Sequence, residues 1–276
     1  MSELSSGKGH RDENFPVASF LLRPEYRAPI MAFYRFARAA DDIADHAEAT
    51  EAEKLRLLGE MRAGLGGNGA PEAMALAEVA RERRLDLVHA HELLDAFCQD
   101  VTQRRYPDWE ALMAYCRLSA MPVGRFVLDV HGEDRSIWPL SDALCAALQV
   151  INHLQDCGED YRDVGRVYLP LDALAAAGTG VEALGEDRAS PALRQVIARL
   201  ARQTEGLLAQ SAAFASAIRD RRLAAEVAVI QAQAEDLATL LTRRDPLSEP
   251  VHHSKLRMGG VAIKALLRHW FAGGQA

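Results

Sequence analysis

The chain has 276 residues, of which 49% are hydrophobic and only 6% aromatic, and its formal net charge is −7. This length allows one substantial buried core, and the composition favours helices over β-sandwiches and barrels. A negatively charged chain without a basic run argues against nucleic acid as a partner. No window approaches the roughly 20 apolar residues that span a bilayer, and the polar N-terminus lacks a signal-peptide core. We therefore expect a cytoplasmic protein.

Helical periodicity recurs along almost the whole chain, while alternating β-branched runs are almost absent. The first predicted helix covers about residues 27–46, with Pro29 in its first turn. The second covers about residues 50–65, and Thr50 and Glu53 form a possible capping box at its start. Pro71 then restarts the helical pattern. Further helices are predicted over residues 85–103, 108–130, 139–162, 191–220, 221–243 and 254–272.

The long pattern over residues 108–130 contains two helix breakers, Pro122 and Gly124. Proline removes a backbone hydrogen bond, so the sequence predicts a kink there. Such a kink either frees backbone groups to face a pocket or fits the helix around the core. Nothing else divides the chain, which favours a single helical domain over residues 1–276 with residues 1–12 as a flexible tail.

The first predicted helix carries an acidic cluster near its end, following Tyr34. Asp41 and Asp45 are four residues apart, so both project from one face, with Arg38 one turn earlier. Stacked carboxylates repel each other by about a few tenths of a kcal/mol, which a solvated surface could tolerate. The surrounding residues are mostly apolar, however, and this favours the wall of a cavity.

A second oxygen-rich stripe lies in the predicted helix over residues 139–162. Asn152, Asp156 and Asp160 follow an i, i+4, i+8 spacing, and Gln149 extends the same side by one turn. The apolar residues upstream indicate that this face also enters a core. Arg166 follows a few residues later.

Oxygen-only ligand sets of carboxylates and an amide suit hard cations, above all Mg²⁺. Magnesium would neutralise facing carboxylates and accept diphosphate oxygens, while Arg38 and Arg166 would stabilise a leaving diphosphate. Apolar walls would then exclude water from the carbocation left behind. The alternative is a non-catalytic helical scaffold with two solvated acidic faces.

These residues resemble the squalene and phytoene synthase family. The resemblance extends from Asn14 to about residue 257, and its specific portions are residues 38–45 and 152–170. It implies an all-α, isoprenoid synthase-type helical bundle with a central cavity, Mg²⁺ as cofactor and an isoprenoid diphosphate as substrate. It implies magnesium ligands at Asp41, Asp45, Asn152, Asp156 and Asp160, and catalytic roles for the four aspartates and Arg38. The implied substrate-binding residues are Asn14, Phe15, Tyr34, Arg38, Arg117, Gln149, Gln155, Arg166 and Tyr168.

Several residues depart from the pattern of the whole family, and they indicate which of its subfamilies the chain resembles. Arg117 stands where phytoene synthases usually have an aromatic residue, Pro122 is similarly unlike them, and Gln155 stands where many relatives have arginine. This combination looks like the bacterial hydroxysqualene synthases of hopanoid biosynthesis. Such an enzyme is a carbon–oxygen lyase that ionises presqualene diphosphate, rearranges the cation and captures it with water. The nearest alternative is a prenyltransferase that condenses two isoprenyl diphosphates into presqualene diphosphate, squalene or phytoene.

Other features favour structural roles. The four scattered cysteines predict buried thiols rather than disulfides or a zinc site. His89, His91 and Glu92 lack the HExxH pattern of a metal site, and we expect a surface helix there.

The C-terminal helix carries Val261, Leu266, Trp270 and Phe271. This helix is expected to dock onto the core, with peripheral contact at the inner membrane face as the alternative. No protein partner can be identified from the sequence.

Overall fold

A computed structural model describes residues 23–273, and their side chains as far as residue 271. Of the described residues 76% are helical, and they form no strand, only an isolated bridge between Arg105 and Val167. The predicted all-α class is therefore confirmed. The predicted tail and the predicted site residues Asn14 and Phe15 lie outside the described residues. Across residues 23–273 no helix is both long and apolar enough to cross a membrane.

The described α-helices are α1 (Pro24–Asp45), α2 (Glu51–Leu65), α3 (Pro71–Arg83), α4 (Val88–Thr102), α5 (Trp109–Ser119), α6 (Met121–His131), α7 (Trp138–Gln155), α8 (Cys157–Asp163), α9 (Leu171–Ala176), α10 (Pro191–Gln210), α11 (Phe214–Ala217), α12 (Arg221–Leu241) and α13 (Lys255–Gly273). They form two compact units. The first comprises residues 23–103 with Arg117–Arg135, and the second comprises Arg104–Cys116 with residues 136–273. The single domain predicted for the whole chain, with its central cavity, stays a prediction.

In the first unit, α1 packs against α2, α3, α4 and α6. Pro24 occupies its first turn, so the helix begins before the predicted start at about residue 27, and Pro29 is buried inside the helix. Phe33 stacks on Phe126 of α6, with ring centroids 4.1 Å apart. One half of the predicted capping box is confirmed, since the Thr50 hydroxyl accepts a hydrogen bond from the backbone N–H of Glu53, but in the described structure the Glu53 carboxylate does not return a bond to the Thr50 N–H.

The buried stripe of α1 continues to the end of the helix through Phe36, Ala40 and Ala44, which are all at most 1% exposed. Asp41 and Asp45 each follow one of these alanines directly. Because consecutive helical residues are about 100° apart around the axis, both carboxylates lie at the edge of the buried stripe. The apolar packing of α1 therefore fixes where its acidic residues project.

The pattern over residues 108–130 forms two helices rather than one kinked helix. α5 ends at Ser119, and α6 begins at Met121 with Pro122 in its first turn. Proline has no N–H to continue the preceding helix and disfavours helical backbone in the residue before it, but it suits a helix start. Pro122 is itself buried, so it takes part in the packing of α6.

In the second unit, α7, α10 and α12 pack against one another, and α13 lies along α12. The predicted helix over residues 191–220 stops at Gln210. There the single Ser211 hydroxyl proton has two acceptors within reach, the Leu208 carbonyl at 3.1 Å and Gln231 Oε1 at 2.8 Å, and such a bond competes with the helical pattern. Asp220 then caps α12 by accepting from the N–H groups of Arg222 and Leu223.

The C-terminal helix α13 packs onto α12 through one face only. Ala265 is buried on that face, whereas Trp270 and Phe271 are 82% and 72% exposed. The helix therefore docks as predicted through its Ala265 face, but Trp270 and Phe271 take no part in that packing.

Candidate active site

The first acidic cluster consists of Arg38, Asp41, Asp42 and Asp45 in the last two turns of α1. The Arg38 guanidinium donates a hydrogen bond to each of two carboxylates: Nη1 lies 2.7 Å from Asp41 Oδ2, and Nη2 lies 2.7 Å from Asp42 Oδ1. Sequence reasoning grouped Arg38 with Asp41 and Asp45 but left out Asp42. Its position four residues after Arg38 was the signal, since residues i and i+4 are neighbours on a helix.

The carboxyl group of Asp41 is held away from full ionisation. Burial raises its pKa to about 7, and the negative charge of Asp45 adds to that rise. Arg38 opposes the shift, while Asp42 and Asp100 increase it further. Asp100 is a buried residue of α4 that sequence reasoning missed, because only the packing of α4 on α1 brings it near. This concentration of carboxylates favours binding of a cation.

The second acidic cluster consists of Asn152, Asp156 and Asp160. It does not lie on one continuous helix as predicted, because α7 ends at Gln155 and α8 begins at Cys157. Asp156 occupies the junction, with φ −100° and ψ 7°. Backbone bonds from Asp156 N to Asn152 O (2.9 Å) and from Asp160 N to Asp156 O (2.8 Å) still preserve the four-residue spacing across it.

Asp156 also has a raised pKa, of about 6. Burial is the largest cause, followed by repulsion from Asp160. His252 and His153 lower it, and Glu159 raises it. Both acidic clusters thus contain a carboxyl group whose charge is suppressed by burial and by a neighbouring aspartate.

His153 joins the second acidic cluster to an aromatic group, a role that sequence reasoning missed. Its ring stacks on Tyr168 with centroids 3.5 Å apart, and Tyr115 lies against both rings. Its Nε2 is 3.1 Å from the Gln149 amide nitrogen, and its Nδ1 is 3.9 Å from Asp160 Oδ2. The predicted site residues Gln149, Asp160 and Tyr168 are therefore brought together around this imidazole.

The loop that follows α8 carries Arg166, which is buried and donates its backbone N–H to Asp160 O at 2.9 Å. Gly165 has φ +67°, a left-handed conformation that glycine adopts without strain. Arg105 donates to the Gly165 carbonyl at 2.6 Å, and Arg104 to that of Val164 at 2.8 Å. These two arginines, also missed from the sequence, fix the loop that presents Arg166.

The remaining predicted substrate-binding residues differ in exposure. Tyr34 is half-buried on α1, and Arg117 is exposed in the last turn of α5. Gln155 is buried, and its amide nitrogen donates to the Val251 carbonyl at 2.5 Å and lies 3.1 Å from His252 Nδ1. Gln155 therefore anchors the segment that leads into α13, and its contact with substrate stays a prediction.

Replacing Gln155 with leucine is expected to lower the free energy of unfolding by about 1–3 kcal/mol, because the buried Val251 carbonyl loses its donor. Urea unfolding monitored by circular dichroism measures this change. If Gln155 acts only as this anchor, KM for substrate stays within about twofold of the wild-type value. A lost hydrogen bond to substrate would raise KM more than this, since about 1.4 kcal/mol of binding free energy corresponds to a factor of ten. A large rise in KM with unchanged stability would instead assign it to the substrate.

The expected surface position of His89 is wrong, since this residue is 1% exposed. Its ring lies 3.4 Å from Glu92 and 3.3 Å from Asp129 of α6, whose packing against α4 covers it. The prediction of buried thiols is confirmed for Cys116 and Cys157 and is wrong for Cys98 and Cys145, which are partly exposed; all four are free thiols.

Comparison with known proteins connects these clusters to one family. The model of the squalene/phytoene synthase family matches residues 9–257, which include both acidic clusters. The chain belongs to this family. It is an enzyme of the squalene/phytoene synthase family, as its sequence predicted.

Individual members of the squalene/phytoene synthase family differ in their similarity to this chain. The hydroxysqualene synthase of Zymomonas mobilis subsp. mobilis is 54% identical over 98% of this chain and 92% of its own length. The presqualene diphosphate synthase of the same organism is 32% identical over 75% of this chain and 72% of its own length. Among solved structures, squalene synthase HpnC from Alicyclobacillus acidocaldarius matches with TM-score 0.73 and 30% identity, covering 82% of this chain and 87% of that one. The predicted isoprenoid synthase-type helical fold is confirmed.

The oxygen donors of both clusters suit a divalent cation, on which enzymes of this family generally depend. Within residues 23–273 no three acidic, histidine or cysteine side chains form a ready-made metal site. Magnesium commonly takes only one or two carboxylates from the protein and completes its shell with waters and phosphate oxygens. Burial and, after it, repulsion from a neighbouring aspartate raise the pKa of Asp41 and of Asp156, and a divalent cation would relieve that repulsion.

Proposed function

We propose that this member of the family is a hydroxysqualene synthase that converts presqualene diphosphate and water into hydroxysqualene and diphosphate. The contrast between two proteins of one organism carries the proposal: 54% identity to a hydroxysqualene synthase against 32% to a presqualene diphosphate synthase. The higher identity also extends over nearly the full length of both chains. The raised pKa values in both acidic clusters support a site that handles cations and a phosphorylated substrate.

In the proposed reaction, the C–O bond to the diphosphate breaks and its electron pair leaves with the diphosphate. The cyclopropylcarbinyl cation rearranges, and a water oxygen bonds to the cationic carbon and loses a proton to solvent. Bound Mg²⁺ would supply positive charge to the leaving group. We propose that Asp41 and Asp45 hold metal in the first unit, and that Asn152, Asp156 and Asp160 hold metal in the second.

Two arginines are proposed to bind the diphosphate itself. Without metal, the Arg38 guanidinium is occupied by Asp41 and Asp42. With these carboxylates holding a cation, Arg38 would donate to phosphate oxygens, for which its planar fork is suited. Arg166 is held in place by its loop, because its backbone N–H is bonded to Asp160 and the Arg104 and Arg105 side chains secure the adjoining carbonyls.

We also propose that the enzyme works in the cytoplasm, in peripheral contact with the inner face of the membrane. All four cysteines are free thiols, and burial raises the pKa of Cys116 and of Cys157 to about 12, so these two thiols are unreactive. Free thiols are usual in a reducing compartment. The isoprenoid chains of substrate and product partition into lipid, which gives a reason for membrane contact.

Incubation with presqualene diphosphate and Mg²⁺ in H₂¹⁸O tests the proposed reaction. We expect hydroxysqualene with one ¹⁸O atom by mass spectrometry, because the hydroxyl oxygen comes from water. Farnesyl diphosphate alone should give neither presqualene diphosphate nor squalene. The purified Asp41→Asn variant is the matched control for contaminating activity.

Formation of presqualene diphosphate from farnesyl diphosphate alone would contradict the lyase assignment and favour the condensing prenyltransferase. A scaffold without catalytic function predicts no turnover of either substrate. It also predicts unchanged binding of inorganic diphosphate when Asp41 and Asp156 are replaced.

A further inference from the structure

The outer face of α13 forms a continuous apolar stripe. We define the stripe as Leu256, Ile263, Leu267, Trp270 and Phe271, whose exposed fractions range from 53% to 91%. Their spacings of seven, four, three and one residues place them along one side of a helix. Ala265 on the opposite side is buried against α12. The stripe is therefore a surface for another occupant rather than part of the packing between these helices.

Basic residues accompany the stripe. The helix contains Lys255, Arg257, Lys264 and Arg268 and no acidic residue, although the whole chain carries a net charge of −7. Lys264 and Arg268 lie one turn apart along an edge of the stripe. No ion pair involves either of them within residues 23–273. Their charges are available to an anionic surface.

The start of α13 is fixed to the second unit. Arg257 binds Asp236 of α12 through two hydrogen bonds, of 2.6 Å from Nε and 2.7 Å from Nη2. His253 Nε2 lies 2.7 Å from the same carboxylate. These bonds hold the pKa of Asp236 below its usual range, with Arg257 as the largest cause. Lys264 and Arg268 line a cleft with Glu235 and Asp236 of α12, but in the described structure no ion pair joins them to either carboxylate, and Asp236 is already bound by Arg257 and His253.

We propose that α13 docks on an anionic phospholipid surface, with its apolar stripe entering the boundary between headgroups and acyl chains. An exposed tryptophan and phenylalanine beside lysine and arginine are typical of helices that lie in this boundary. A second copy of the chain fits less well. In a two-fold symmetric dimer the same patch meets itself, which brings Lys264 and Arg268 of both copies together with no acidic residue on either α13.

The inference deepens the proposed function, because membrane contact gives the enzyme access to lipid-soluble substrate and product. Docking would place α13 parallel to the membrane plane. It adds a partner of defined chemistry, the anionic lipid headgroup, and a defined surface that contacts it. It does not depend on which reaction the enzyme catalyses.

Co-sedimentation of the full chain with vesicles tests the proposal without substrate. We expect binding to phosphatidylcholine vesicles that contain phosphatidylglycerol, weak binding to pure phosphatidylcholine, and loss of binding in high salt. Lys264→Gln should weaken binding about fivefold, since each cation near an anionic surface contributes about that factor. Trp270→Ala should weaken vesicle binding by a similar or larger factor. The size of this loss should depend less on salt concentration than the loss caused by Lys264→Gln.

Two exposed residues of the second unit provide matched controls. Arg202→Gln removes one positive charge from α10, and Leu171→Ala removes one apolar side chain from α9. We expect both to bind vesicles like the wild type. Circular dichroism of each variant checks that it is folded.

An equal loss of vesicle binding in the Arg202→Gln and Lys264→Gln variants would overturn the proposal. It would mean that binding depends on the net charge of the protein and not on the position of the charge on α13. Self-association that is abolished by Leu267→Glu, without vesicle binding by the wild type, would overturn it in favour of a second copy. Turnover of presqualene diphosphate dispersed in detergent is measured separately. Failure of docking and failure of the proposed reaction can therefore be distinguished.

Discussion

Replacement of Asp41 with asparagine is expected to lower turnover of presqualene diphosphate by about 100-fold or more while making the metal-free protein more stable at pH 8. The loss of turnover follows from the loss of a proposed metal ligand. The gain in stability follows from the pKa of Asp41, which burial and Asp45 raise from 3.8 to about 7. A neutral amide of the same shape avoids the cost of a buried charge.

The sign of the stability change depends on pH. The folded-state pKa of Asp41 is above its unfolded value, so its favourable contribution is complete below about pH 4 and is lost as pH rises through 7. The side chain is 37% exposed, and solvent screening reduces the effect of such a shift. We therefore expect a gain of about 1–2 kcal/mol for Asp41→Asn at pH 8 and little gain at pH 4.

Urea unfolding in the presence of a chelator measures the stability change, and turnover at saturating Mg²⁺ measures the activity. Asp187→Asn is a suitable control, since Asp187 is exposed in a loop of the second unit, and it should change neither quantity. An Asp41→Asn variant with near-normal turnover would contradict the metal-binding role. Destabilisation at pH 8 would contradict the electrostatic cause.

Features that depend on local spacing could be predicted from the sequence. The helix α1, the shared face of Asp41 and Asp45 and the proximity of Arg38 all follow from the 3.6-residue period. The cap at Thr50 follows from residues three positions apart. The family resemblance depends on these same short segments, so it too was accessible from the sequence.

Features that depend on tertiary packing could not be predicted. Asp100 influences Asp41 only because α4 packs on α1, and no sequence spacing indicates that contact. Likewise, Arg104 reaches the Val164 carbonyl across 60 residues of sequence. The outward position of Trp270 was missed because an amphipathic pattern does not tell which face of a helix finds a neighbour.

Breaks within helices were a second source of error. The pattern from Asn152 to Asp160 satisfies helical spacing, yet the chain leaves regular helix at Asp156 and resumes it at once. Two bonds with four-residue spacing bridge the break, so the sequence pattern is almost unaffected by it. A local break of this kind changes the direction of the Asp156 carboxylate without changing the periodicity from which the site was predicted.

The half-saturating concentration of Mg²⁺ is expected to rise about tenfold or more between pH 8 and pH 6. Asp41, with a pKa of about 7, is mostly ionised at pH 8 and mostly protonated at pH 6. Asp156, with a pKa of about 6, adds to the change at the lower end of this range. A carboxyl group must lose its proton to bind a metal, so protons and Mg²⁺ compete, by about a factor of ten per pH unit below the pKa.

Turnover measured against Mg²⁺ concentration at pH 8, 7 and 6 gives this dependence. The diphosphate of the substrate also takes up protons in this range and weakens its own binding of Mg²⁺. The Asp41→Asn variant measures how much of the pH dependence comes from the substrate, because asparagine has no carboxyl proton to compete with Mg²⁺. If wild type and variant show the same pH dependence, Asp41 does not exchange a proton for the metal. A steeper dependence in the wild type assigns the difference to Asp41, because the substrate is the same in both measurements.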